Sequence, residues 1–142
     1  MDRKSDALWT GDLKSGKGTI KLGSGAFEGP YSFVSRFENG AGTNPEELLG
    51  AAHAGCFSMA LSAGLSKAGH SPKSIATTAT VHITKVESGF AITGIDLVTR
   101  GVVPGLSADV FKKMAEETKT NCIISKALSA VPMKVDAQLS SG

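Results

Sequence analysis

Thr43-Asn44-Pro45-Glu46-Glu47-Leu48-Leu49-Gly50-Ala51-Ala52-His53-Ala54-Gly55-Cys56-Phe57-Ser58-Met59-Ala60-Leu61 is the stretch on which the reading of this 142-residue chain turns. Asn44 is a helix-capping residue type, Pro45 fits the first helical position, and Glu46 and Glu47 put two acids in the first turn. Gly69 and Pro72 end the pattern, so the spacing predicts a helix over Pro45 to Lys67. No charged residue occurs from Leu48 to Ser66, a length that approaches a bilayer span. His53, Ser58, Ser62, Ser66 and three glycines weaken the membrane reading. The small residues Gly50, Ala51, Ala52, Ala54 and Gly55 suit instead the central, buried helix of a soluble core, where backbones approach closely.

Upstream of this helix, Ala7 to Gly11, Lys17 to Leu22 and Tyr31 to Phe37 read as short strands separated by Gly-rich turns, which predicts a small antiparallel sheet. Downstream, Ser74 to Val86 and Phe90 to Val103 read as a hairpin turning at Ser88-Gly89. Ser107 can cap a helix through Thr118 whose buried side is Val110, Met114 and Phe111, a shorter helix starts near Asn121, and Pro132 to Leu139 forms a last strand. The order β-β-β-α-β-β-α-α-β groups helices and strands, which is the α+β class, here with antiparallel sheets packed on the central helix. The length fits a single domain over residues 1–142.

Composition narrows the functions. A net charge of +2 arises from 15 basic and 13 acidic residues scattered along the chain, so no run of Lys or Arg follows a nucleic-acid backbone. The opening residues lack the apolar core of a signal peptide, which predicts a cytoplasmic protein and no membrane partner. No nucleotide, flavin or haem motif occurs, so no cofactor is expected.

Two cysteines, Cys56 and Cys122, carry the possible chemistry. A permanent disulfide is unusual in the cytoplasm, which leaves two inert buried thiols or a redox pair. Burial alone raises a thiol pKa, so a reactive Cys56 needs a positive group, either His53, three residues earlier on the same helical face, or an arginine. His53 is otherwise a plain core histidine. Neither the cysteines nor the histidines show the paired spacing of a metal site. Cys122 follows Asn121 at the start of a short helix, where unsatisfied N–H groups favour a thiolate, or it simply fills the turn. Asn44-x-x-Glu47 has the spacing of a capping box, so Glu47 reads as a cap. Arg36, in the strand before the helix, reads as an exposed structural arginine.

Together, Arg36, Gly42-Thr43-Asn44-Pro45-Glu46-Glu47-Leu48 and Ala51-Ala52-His53-Ala54-Gly55-Cys56-Phe57-Ser58-Met59-Ala60-Leu61 closely resemble the OsmC/Ohr family of organic hydroperoxide reductases, in its osmotically inducible protein C branch. Similarity extends through Trp9-Thr10-Gly11-Asp12, Gly16-Lys17-Gly18-Thr19, Gly89-Phe90-Ala91-Ile92-Thr93 and Val103-Pro104-Gly105, nearly the full chain. The resemblance implies a peroxidase acting on organic hydroperoxides and hydrogen peroxide. Its reactive cysteine matches Cys56, its resolving cysteine Cys122, and its arginine and glutamate Arg36 and Glu47. It also implies an intertwined homodimer with active sites at the interface. Members usually carry proline directly after the second cysteine, where this chain has Ile123, which leaves the first helical turn freer.

The implied chemistry is attack of the Cys56 thiolate on a peroxide oxygen, a sulfenic acid, and its capture by Cys122 as a disulfide that an external thiol reduces. Arg36 stabilises thiolate and leaving alkoxide, and Glu47 holds Arg36. Residues 47 and 56 are about 900° apart around a helix, on opposite faces, so if both serve one site either the helix begins irregularly or the carboxylate comes from a second chain. A non-enzymatic cysteine-pair sensor and a protein binding an apolar ligand around Phe57 are the alternatives.

Overall fold

Three short strands, β1 (Ser5–Thr10), β2 (Lys17–Leu22) and β3 (Glu28–Tyr31), pair antiparallel in the order β1-β2-β3. Along β2, Gly18 and Ile20 are buried between exposed Lys17, Thr19 and Lys21, the period-two pattern of a half-buried strand. Asp12 shapes the β1–β2 turn by accepting the backbone N–H groups of Lys14 and Ser15, both at 2.9 Å. This computed structural model describes residues 1–140 and divides into two units, Met1–Leu48 and Leu49 onward; the sheet belongs to the first.

The strand expected over Tyr31 to Phe37 is not formed. β3 ends at Tyr31, and α1 (Phe33–Phe37) follows. The reason is a capping box: Ser32 Oγ accepts the N–H of Ser35 at 3.1 Å, and Ser35 Oγ accepts the N–H of Ser32 at 2.8 Å. Helical spacing then stacks Phe33 on Phe37, with ring centroids 5.1 Å apart. Arg36 therefore projects from a helix, not from a strand face shared with Ser32 and Val34.

α2 (Pro45–Lys67) has the bounds expected of it. In the second unit, β4 (Ser74–Val86) and β5 (Gly89–Val102) form the long antiparallel hairpin, with a bulge between His82 and Ile83. α3 (Ala108–Asn121) is capped by Ser107, and α4 (Ile123–Ala127) follows after one residue. This helical crossover lets β6 (Met133–Ser140) lie parallel to β5, so the sheet is mixed and not the antiparallel one expected. Gly101 of β5 makes room for α3, because a Cβ there would lie 2.6 Å from the Phe111 ring. The buried stripe of α3 is Phe111, Ala115 and Thr118, while Val110 is exposed.

The core of the second unit gathers Phe57, Leu61 and Leu65 of α2 with Ile95, Leu97, Val103, Phe111 and Ala115. Each large side chain so buried stabilises the fold by about 1.5–3 kcal/mol. Only one face of α2 is covered. Ala51, Ala52, Gly55, Met59 and Ala63 are exposed, Met59 at 77%, so the expectation of an all-round buried helix holds on one side alone. α2 is long and apolar enough to cross a membrane by length and composition, and its His53-Phe57-Leu61-Leu65 face packs in the core.

Candidate active site

Two groups of chemically capable side chains emerge, one in each unit. In the first, Thr43 forms a bridge with Tyr31, its N–H donates to Pro30 O at 2.9 Å, and Ser35 Oγ donates to Thr43 O at 2.7 Å. Asn44 Nδ2 donates to Ser35 O at 3.0 Å, which fastens the start of α2 to α1. Gly42, at φ +113°, permits this path: a Cβ there would lie 2.8 Å from Pro30 O.

That scaffold brings Arg36 to Glu46. Nη2 donates to Oε1 at 2.7 Å, and Nε lies 3.2 and 3.1 Å from Oε1 and Oε2. The hydrogen bonds that Arg36 donates to Glu46 raise the guanidinium pKa and keep it charged. Glu47, expected to hold Arg36, does not: its carboxylate accepts from Thr43 Oγ1 at 2.7 Å, and its N–H donates to Asn44 Oδ1 at 2.8 Å. The third helical residue is turned back toward the cap, and the second faces α1. A cavity of about 210 Å³ beside Arg36 is lined by Trp9, Leu13, Tyr31, Phe33 and Phe37.

In the second unit, Cys56 of α2 lies against Cys122, the residue that joins α3 to α4. Both are free thiols, Cys56 half-buried and Cys122 buried. Burial pushes the Cys56 pKa up, the backbone N–H of Ile124 opposes this, Cys122 raises it further, and the N–H of Ile123 again opposes it. Cys122 is held by its N–H to Thr118 O at 2.9 Å and caps α4 through Sγ, which accepts the N–H of Ser125 at 3.3 Å. Its φ of −64° and ψ of 144° start α4 without a proline at position 123.

His53 is fully buried, and burial lowers its pKa, which disfavours the cation that could activate Cys56. Its Nε2 lies 2.7 Å from Ser125 Oγ. Sequence reasoning missed both Ser125 and Glu46. The signal for Ser125 was Cys122-x-x-Ser125, the spacing of an N-cap and its partner; Glu46 was overshadowed by the capping-box spacing of Glu47. Among the described residues, no three His, Cys, Asp or Glu side chains gather to hold a metal ion.

The sequence profile of the family described as OsmC-like protein matches residues 38–136, a span that takes in α2 and both cysteines. This chain belongs to that family. Peroxiredoxin OsmC of Escherichia coli is 50% identical to it over 142 residues, 99% of each chain. Peroxiredoxin OsmC of Shigella flexneri shows the same identity and coverage. Among solved structures, the organic hydroperoxide resistance protein OhrB of Bacillus subtilis superposes with a TM-score of 0.71 at 23% identity, covering 96% of this chain and 98% of that one. An OsmC-like protein of unknown function from Vibrio cholerae superposes at 0.75 with 18% identity, covering 96% and 99%. The OsmC-like fold is thus shared well beyond recognisable sequence similarity.

Proposed function

We propose that this OsmC-like protein is a cytoplasmic thiol peroxidase that reduces organic hydroperoxides, and hydrogen peroxide, at Cys56. The observation that carries the reading is the meeting of Cys56 with Cys122 as free thiols in a chain half identical to a peroxiredoxin. The Cys56 thiolate attacks one peroxide oxygen and the O–O bond breaks. The departing alkoxide takes a proton and leaves as an alcohol, and Cys56 becomes a sulfenic acid. Cys122 then attacks the sulfenic sulfur, the S–S bond forms and water leaves. An external dithiol reduces the disulfide, so no cofactor takes part.

Burial holds the Cys56 thiol up, and the attack requires a thiolate, so a cation must complete the site. Arg36, oriented by Glu46, is that cation, and the aromatic cavity beside it receives the apolar tail of the substrate. We assign Arg36 to a second copy of the chain. The small-residue face of α2 that one chain leaves exposed supports a homodimer with composite sites. The test is steady-state consumption of cumene or tert-butyl hydroperoxide against hydrogen peroxide with several reductants. An enzyme consumes many equivalents and prefers the organic substrates; a sensor stops after one.

A further inference from the structure

The reaction described above leaves unused a buried polar chain in the second unit. His53 is 0% exposed on a helix face otherwise filled by Phe57, Leu61 and Leu65. Its Nε2 is 2.7 Å from Ser125 Oγ, Ser125 is 3% exposed, and Ser125 Oγ is 3.1 Å from Cys122 Sγ. His53 Nδ1 is buried with no hydrogen-bond partner among the described residues. A buried polar atom without a partner is costly, and packing alone does not call for one. The three residues come from separate segments, α2, α4 and the α3–α4 junction, and converge on the thiol that resolves the sulfenic acid.

We propose that His53 and Ser125 form a proton relay that deprotonates Cys122 as it closes the disulfide with oxidised Cys56. The inference rests on the reading that these two cysteines form that disulfide. The Cys122 Sγ proton passes to Ser125 Oγ, and the Ser125 hydroxyl proton passes to His53 Nε2. The freed sulfur pair attacks the Cys56 sulfenic sulfur, the S–S bond forms and the S–O bond breaks. Cys122 is oxidised, the sulfenic sulfur is reduced, and the hydroxide leaves as water with the proton that His53 gives back.

The neutral tautomer that accepts at Nε2 carries its hydrogen on Nδ1, the atom without a partner. Burial disfavours the protonated ring, so the imidazole stands in the form that accepts a proton and gives it back readily. Cys122 of the α3–α4 junction faces the relay directly, and Cys56 of α2 faces it through Cys122. His53 and Ser125 act on the peroxide only through Cys122, so they are positioning and proton-transfer residues for the second step.

The experiment follows disulfide closure by stopped-flow fluorescence and quenched mass spectrometry after one equivalent of cumene hydroperoxide, from about pH 6.5 to 8. In the unmodified protein closure is expected to be nearly flat with pH, because an internal base takes the proton. In Ser125→Ala and His53→Gln closure slows about a hundredfold at neutral pH and rises about tenfold per pH unit, since hydroxide must then ionise the thiol. A loss by the same factor at every pH means a displaced thiol and overturns the relay, as does an unchanged rate. Ser125→Ala removes one atom and decides the question if His53→Gln fails to fold. If the unmodified protein forms no Cys56–Cys122 disulfide, the reading of the two cysteines fails together with the relay; if the disulfide forms with unchanged pH slopes, the relay alone fails.

Discussion

Arg36 and Glu46 are joined through two guanidinium nitrogens, with Nη2 2.7 Å from Oε1, across ten residues of chain. The Glu46 side chain is 10% exposed and that of Arg36 37%, so the carboxylate is sunk between α1 and the first turn of α2 while the guanidinium keeps an open edge. Such a fork fixes orientation as well as charge. Glu46→Gln is expected to lower kcat/KM for cumene hydroperoxide about ten- to a hundredfold, the range of a charge-assisted contact. Glu47→Gln, which perturbs the contact with Thr43, is expected to cost less than about threefold. Equal losses in steady-state assays of the two variants would remove Glu46 from its assigned role.

Ile123 directly follows Cys122, and its N–H pulls the Cys56 pKa down. Ile123→Pro deletes that donor and is expected to raise the Cys56 pKa, leaving less thiolate at neutral pH and slower alkylation. The rate of Cys56 alkylation against pH reads this directly. An unchanged profile would assign the N–H no part in thiolate stability.

The proposed composite sites make a prediction about mixtures. Arg36→Ala and Cys56→Ser chains are each expected to be inactive alone, because every site would lack one group. After subunit exchange, half the sites of each mixed dimer have both groups, so recovery of about a quarter of the unmodified activity is expected. No recovery after exchange proven by mass spectrometry would place Arg36 and Cys56 of one chain in the same site.

His53 links stability to pH. Its folded pKa lies below the ordinary value, so between the two values the unfolded chain binds more protons. The contribution to stability is complete above about pH 6.5 and is lost as pH falls below it, by at most about 1.4 kcal/mol per unit. Urea titrations between about pH 7 and 5 are expected to show this slope reduced in His53→Gln. An equal slope in both proteins would show that another group binds the protons.

Elements whose boundaries rest on local chemistry were legible in the sequence. Asn44-Pro45 starts α2 and Ser107 caps α3, both as read, while the β4–β5 hairpin turns at Glu87-Ser88, one residue before the Ser88-Gly89 expected, with Gly89 already paired to Val86. The Tyr31 to Phe37 segment misled, because its alternating aromatic residues imitate a strand while Ser32 and Ser35 close a helical capping box. β6 gave no sign of direction, since parallel pairing is decided by the α3–α4 crossover and not by its own residues. In the candidate site, the two cysteines were visible as thiols, but their chemistry left inert and redox readings open and their roles came from the family resemblance. Glu46 and Ser125 did not stand out, because both are defined by partners in other segments, Arg36 on α1 and His53 on α2.

The most direct test is dithiol-driven consumption of cumene hydroperoxide by the unmodified protein, Cys56→Ser and Cys122→Ser. The unmodified protein is expected to turn over many equivalents, Cys56→Ser none, and Cys122→Ser one rapid equivalent followed by impaired recycling. Full dithiol-driven turnover in Cys56→Ser would contradict the assignment of Cys56 as the atom that meets the peroxide.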